Sequence, residues 1–277
     1  MRKVLSIAKW SVTLGRDPQN FLGARWITAF LDRVPEEGKR KWALRLLALS
    51  PHYFIDGDNP EFRSMGNDEY LERSFSIISR TRDEIYENVL KPYLKADDEV
   101  LDYGCGPGFV AKAVAPFVKK VTAIDISSGA IACARVVNAA ENIDYIVADE
   151  AGLASIPDGS LDAVYSYAVI QHLTDEVFKI VLDVCQRKLK TEGKLLLHVQ
   201  LPDATWKTEE DWRNDATLQG KVKFKYGLHC FGRTEDQYRE FLKMYGFTNL
   251  AFEEIERLFG RESEELRSQR LLTAVKG

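Results

Sequence analysis

The chain has 277 residues, 45% of them apolar and 29% charged, with a formal net charge of −4. These proportions describe a folded globular protein, and at about 150 residues per domain the length allows one large domain with an accessory part. The acidic balance argues against generic nucleic-acid binding, which needs a basic surface to release counterions, and no apolar run approaches the ~20 residues that span a bilayer.

Lys9, Arg16 and Asp17 interrupt the start of the chain, and no small-residue cleavage site follows, so no signal peptide is predicted. Cys105, Cys133, Cys185 and Cys230 lie 28, 52 and 45 residues apart, without the close pairs of a zinc site. Reduced thiols in a cytoplasmic protein are the expectation. Residues 1 to 54 hold ten Lys or Arg against four acids, a balance of +6 that leaves −10 for the remainder.

Apolar spacing in that leading segment, through Trp26, Ile27, Phe30 and Leu31 and then Trp42, Leu46 and Leu49, predicts two short helices separated by Pro35-Glu36-Glu37-Gly38. An irregular connection follows to residue 67. Leu71, Phe75, Ile78, Ile85 and Val89 then share one face of a longer helix. From Glu99 onward short apolar strands alternate with helices. Strands are predicted at 99–103, 121–126, 145–148, 161–169, 194–201, 252–255 and 271–275, and helices at 109–118, 129–140, 175–189 and 234–244.

Such alternation implies an α/β fold with a doubly wound, mostly parallel sheet covered on both faces. The rhythm breaks at residues 202–232, where Trp206, Trp212, Phe224, Tyr226, His229 and Phe231 stand among polar residues as a cap insertion. The expected organisation is a helical extension over 1–66 and a domain over 67–277 that contains this cap.

Asp102-Tyr103-Gly104-Cys105-Gly106-Pro107-Gly108 lies where a strand gives way to a helix, the place where ligands bind above an open sheet. Gly104, Gly106 and Gly108 form G-x-G-x-G, whereas a dinucleotide fingerprint would need glycine at the position of Phe109. A bound pyrophosphate is therefore disfavoured, and a nicotinamide dehydrogenase with it. Asp125 ends the next strand, 17 residues past Gly108, where its oxygens can accept both hydroxyls of a ribose. Its alternative is a helix cap, a task Ser127 can also perform. Asp149 ends the third strand and suits an exocyclic adenine amine or, alternatively, an ordinary turn. Ile126 can pack against the base.

These residues resemble the class I S-adenosylmethionine-dependent methyltransferase superfamily, small-molecule type, whose first motif is similar to Val100 through Gly108, with the resemblance running in order over about residues 67 to 277. It implies a Rossmann-like, seven-stranded sheet with an antiparallel last strand, and S-adenosyl-L-methionine as cofactor. By the same resemblance Asp102 orients the amino-acid end of the cofactor, 121–125 carries the ribose site, 145–149 the adenine site, and 161–173, with Tyr167, lies beneath the methionine end. Tyr70, Arg73 and Arg82 fall in a leading helix of the kind that closes over the cofactor. Either arginine could pair with its carboxylate or simply be solvated.

Methyl transfer is an in-line displacement that needs an acceptor held nearly collinear, and a hydroxyl acceptor must also lose a proton to a base. His172, just past the fourth strand, is the first candidate and His229 in the cap the second, with a purely structural role as the alternative for each. Trp206, Trp212, Tyr226 and Phe231 suit an apolar lid, or packing of the cap onto the sheet.

No acidic constellation calls for a metal, and no Asn-Pro-Pro-Tyr-like motif points to base methylation. The expected reaction is O-methylation of a small or medium organic acceptor, including a lipid- or glycan-linked one. N- or C-methylation and a catalytically silent cofactor-binding regulator or scaffold are the alternatives. The basic, aromatic leading segment suits peripheral contact with an anionic membrane, a packed helical layer or a homodimer contact.

Overall fold

The computed structural model describes residues 25–48, 53, 60–62, 64–203, 207–218, 220–221, 230–264 and 266–277. Among these residues two helices come first, α1 (Arg25–Arg33) and α2 (Glu36–Leu47), followed by the long α3 (Asn67–Ile85), which ends in a π-helical turn at Tyr86–Leu90. Pro35 stands at the N-cap of α2. Its ring forbids continuation of α1, so the expected four-residue break contracts and Glu36, Glu37 and Gly38 become the first turn of the next helix.

Strands and helices then alternate as the periodicity predicts. They are β1 (Glu99–Tyr103), α4 (Phe109–Val114), β2 (Lys120–Asp125), α5 (Ser128–Val137), β3 (Ile143–Val147), α6 (Glu150–Ala154), β4 (Leu161–Ser166), α7 (Asp175–Lys188) and β5 (Leu189–Gln200). After the cap, which holds α8 (Glu209–Asn214), come α9 (Glu235–Met244), β6 (Phe247–Glu254), α10 (Ile255–Phe259) and β7 (Gln269–Lys276). The short α6 and α10 escape sequence reading because five residues are too few to establish a helical period.

The seven strands form one sheet in the order β3-β2-β1-β4-β5-β7-β6, with β7 antiparallel to both of its neighbours and the β1–β5 pairings parallel. The strand order reverses beside β1, which opens a crevice at the carboxyl ends of β1, β2 and β4. One face of the sheet buries Val100, Ala163, Tyr165 and Leu196 beneath α4, α10 and the end of α3. The other buries Leu101, Val164, Leu195 and Leu197 beneath α7 and α9. A third apolar cluster joins Ile27, Leu31, Leu44 and Leu47 of the leading helices to Ala130 and Cys133 of α5.

The cations of α2 are largely matched by nearby acids. Arg40 pairs with Glu72 at 2.9 Å, and Lys41 and Arg45 both reach Asp68 at 2.8 Å. Exposed pairs of this kind contribute little stability, but they offset the positive charge of α2 itself.

The glycine loop is buttressed from below. Asn138 Nδ2 donates to the Pro107 carbonyl at 2.8 Å, and the Tyr145 hydroxyl donates to the Asn138 carbonyl at 2.9 Å. Gly108 has φ +79°, and a Cβ there would stand 2.3 Å from Tyr145 Oη. Gly108→Ala should therefore lower unfolding stability by about 2–4 kcal/mol, combining left-handed strain with overpacking. Urea titration would read the change, and a loss under about 0.5 kcal/mol would contradict this account of the loop.

Candidate functional site

Strand alternation brings Asp102 and Tyr165 onto the same face as neighbours in register across β1 and β4. Asp102 is buried, and its Oδ2 has no hydrogen-bond partner. Burial, with the nearby Asp125 carboxylate, pushes Asp102 up to about 8, against the opposing pull of the Ala111 amide and the Tyr165 hydroxyl. A buried acceptor without a donor is costly, so this carboxyl is suited to meet a cation or donor from outside the chain.

The loop that follows passes through Gly104, Gly106 and Gly108, with φ of +79°, +51° and +79°. A Cβ on Gly104 would stand 2.6 Å from a Val169 methyl, so the loop after β1 and the turn after β4 are in direct apposition. Asp125, at the end of β2, ties the loop in place. Its Oδ2 accepts from Gly106 N–H at 2.9 Å and its Oδ1 from Ser127 N–H at 2.8 Å. A carboxylate offers about four acceptor positions, so two remain for a diol. Burial raises the Asp125 pKa and the two amides lower it. Ser127 caps α5 through Ala130 N–H, which leaves the helix-capping role off Asp125. The Ile126 side chain is 55% exposed beside it, an apolar surface open to a planar ring.

Other predicted residues occupy varied places. Asp149 is exposed and caps α6, its Oδ1 accepting from Gly152 N–H at 2.8 Å, which leaves its second oxygen for a ligand amine. Tyr70 meets Phe62 edge-on at 5.4 Å. Arg73 pairs with Glu61 at 3.0 Å in a half-exposed contact. Arg82 differs. It is partly buried and bonds the Thr81 hydroxyl at 3.0 Å, and its charge acts on Tyr167.

Tyr167 lies one residue beyond β4 and stacks on His198 of β5, with ring centroids 4.3 Å apart. Burial raises the Tyr167 hydroxyl to about 12, against the pull of Arg82 and Arg261. His172 follows in a 3-10 turn over Ile170–His172, with its Nδ1 3.6 Å from Cys230 Sγ. Arg233, buried, fastens this loop by donating to the Ile170 and Leu173 carbonyls and by pairing with Asp175 at 2.6 Å. Phe231 N–H donates to the Gln171 carbonyl at 2.6 Å and so helps attach the cap, whereas Trp212 Nε1 donates to the Cys230 carbonyl at 2.8 Å within the cap itself. His229, Trp206, Phe224 and Tyr226 lie outside the described residues.

Sequence reading missed three contributors. Tyr53 is partly buried against the glycine loop, its ring 3.4 Å from where a Cβ on Gly106 would stand, and desolvation and Asp125 hold its hydroxyl well above the ordinary range. Nothing in the irregular segment around it singles it out. Arg233 reads as a helix-flanking charge, and His198 as a polar interruption in an apolar strand. Only strand alternation, which places His198 on the face of Asp102 and Tyr165, could have marked it. Among the described residues no three His, Cys, Asp or Glu side chains converge as a metal site. None of the described helices is long and apolar enough to cross a membrane.

Residues 101–197 match the family model described as a methyltransferase domain. A ubiquinone biosynthesis O-methyltransferase of Xanthomonas oryzae pv. oryzae is 35% identical over 104 residues, which is 37% of this chain and 43% of that one. The homologue from Xanthomonas axonopodis pv. citri is 34% identical over the same length and shares. The chain thus spans less than half the length of the curated relatives it matches. An S-adenosylmethionine-dependent methyltransferase structure from Mesorhizobium loti superposes with a TM-score of 0.52 at 19% identity, covering 70% of this chain and 98% of that one. One from Archaeoglobus fulgidus gives 0.51 at 18%, covering 72% and 94%. Those structures share the fold. The match over residues 101–197 spans β1 through most of β5, the strands that line the crevice.

The raised Asp102 gives a pH signature. With a pKa of about 8 it holds a proton at neutral pH in the ligand-free chain. If the ammonium of S-adenosylhomocysteine comes to lie beside it, the carboxylate is favoured, so binding should release a proton and affinity should climb as pH rises toward that value. Calorimetry in buffers of unequal ionisation enthalpy reads the proton directly. Heats that do not vary with buffer would refute the assignment, and Asp102→Asn should abolish the release.

Proposed function

We propose that the chain is an S-adenosylmethionine-dependent O-methyltransferase acting on a small or medium organic acceptor. The observation that carries this reading is the pair of carboxylates at the ends of adjacent strands. Asp102 presents an orphaned buried oxygen, while Asp125 is locked by two amides and retains acceptor capacity. Those features fit opposite ends of the cofactor, the amino-acid ammonium and the ribose diol. Between them lies a loop whose glycines leave no Cβ in the way.

In this assignment Asp125 accepts from the ribose hydroxyls and Ile126 covers one face of the base. Asp149 accepts from the adenine amine with the oxygen not used in capping. Arg82 is better placed than Arg73 to meet the carboxylate, because Arg73 is already paired with Glu61. Tyr70 belongs to the helix that closes the site, and Tyr167 to the wall beneath the methionine end. The cofactor supplies an electrophilic methyl on a sulfonium. What the chain must add is alignment, exclusion of water and a place for the acceptor's proton.

His172 receives that proton in our reading. The other described histidine, His198, has both ring nitrogens engaged, Nδ1 by Ala168 N–H at 3.3 Å and Nε2 by Gln269 Oε1 at 2.8 Å. Oxygen as the acceptor atom is favoured by the activity of the curated relatives and by a histidine base at this position. His229 remains a proposal resting on its place in the cap sequence. We read residues 1–66 as a packed helical layer and 67–277 as the catalytic domain with cap 202–232. The contacts of α1 and α2 with α5, and the matched charges of α2, support the layer over a membrane anchor.

Asp125→Ala removes two potential ribose hydrogen bonds at about 0.5–3 kcal/mol each, so cofactor affinity should fall roughly tenfold or more by titration calorimetry. An unchanged affinity would overturn the ribose assignment. His172→Ala should depress turnover at least about a hundredfold with a methyl-labelled cofactor and an acceptor found by screening phenols and catechols, while cofactor affinity changes little. Undiminished turnover would return His172 to a structural role.

A further inference from the structure

Ala168 is one of three non-glycine residues among those described with positive φ, at +59°. It joins Tyr167 to Val169 at the mouth of the crevice, and such a conformation is strained for an L-residue and persists where the surroundings hold it. The imposing group is His198. Its Nδ1 accepts from Ala168 N–H at 3.3 Å, its Nε2 faces Gln269 Oε1 at 2.8 Å, and its ring stacks on Tyr167 with centroids 4.3 Å apart. An Nδ1 that accepts carries no proton, so the ring is the neutral Nε2–H tautomer donating to Gln269. Full burial agrees, lowering the His198 pKa to about 4.

The consequence reaches the glycine loop. The next residue, Val169, is the side chain that a Cβ on Gly104 would strike at 2.6 Å, so the turn after β4 forms one wall against which the loop after β1 rests. We propose that His198 is a positioning residue for the cofactor site, its neutral ring pinning the left-handed turn at Ala168 so that Val169 supports the Gly104 loop and Tyr167 keeps its place in the wall. This inference rests on the methyltransferase reading of the crevice and adds to it a residue that touches neither cofactor nor acceptor. Gln269, at the start of β7, fixes the tautomer from the antiparallel strand. The turn is thereby tied to β5 and β7 as well as to β4.

The test uses S-adenosylhomocysteine binding to the full-length chain. His198→Leu should weaken binding about tenfold, because it removes the acceptor that holds Ala168 in its strained conformation. His198→Asn, whose side-chain oxygen can accept from the same amide, should be milder. Adding Ala168→Gly to His198→Leu should recover most of the loss, since glycine adopts positive φ without help. A residue that merely filled the core would show no such rescue. Nitrogen NMR of the wild-type imidazole should show the Nε2–H tautomer at neutral pH. Affinity within twofold of wild type in His198→Leu overturns the proposal, as does a loss repaired by neither His198→Asn nor Ala168→Gly, or a protonated ring. A wild-type chain that does not bind S-adenosylhomocysteine overturns instead the reading of the crevice on which the proposal stands.

Discussion

A carboxylate that spans two backbone segments constrains both of them, and at Asp125 the two segments are the loop after β1 and the turn that opens α5. The glycines of that loop have the widest conformational choice of any residue type, so without a fixed acceptor the chain would lose substantial entropy in adopting one path. Asp125 selects the path from above. Asn138 and Tyr145 select it from below, through the Pro107 and Asn138 carbonyls. Flexibility in the sequence thereby becomes a preorganised cradle in the fold, which is the condition under which binding energy is not consumed in ordering the site.

The second half of the crevice is built by a different logic. Past β4 there is no glycine until Gly193, so a sharp turn has to be forced on ordinary side chains. Ala168 takes the strained conformation, and Arg233 gathers the carbonyls of the following loop as a buried polydentate donor. Arginine suits this task because its planar fork satisfies several acceptors at once while Asp175 balances the charge. The loop that carries His172 is therefore held from the region after the cap, not from its own strand. Geometry at the candidate base then depends on Arg233, and on the cap residues Cys230 and Phe231 that meet the same loop.

The alternation of strands and helices, and the three glycines with two carboxylates in series, were legible in the sequence because each rests on local spacing. Short continuous apolar runs marked the strands, and the departure from a dinucleotide fingerprint at Phe109 narrowed the ligand. Ser127, read as available for capping, does cap α5. What escaped was long-range. Tyr53 reaches Gly106 across more than 50 residues of chain, and Arg233 reaches Ile170 across 63. No periodicity encodes such a contact. Arg73 and Arg82, equivalent in the sequence as helical cations, part company because Glu61 lies beside the first and the second is partly buried near Tyr167.

The polar residues on the sheet face shared by Asp102, Tyr165 and His198 show how burial sorts function from structure. His198 has all of its hydrogen-bonding capacity met internally, and a group so satisfied can hold a shape but has no lone pair to offer a substrate. Asp102 is the opposite case, equally buried yet with one oxygen left without a donor. Folding free energy alone would favour replacing such a group with an apolar one. In the proposed reading, its presence at the head of the crevice, where strand order reverses, is explained by a donor that arrives with the cofactor. The Tyr165 hydroxyl beside Asp102 is likewise buried without a partner, so the same face carries one fully satisfied group and two that are not.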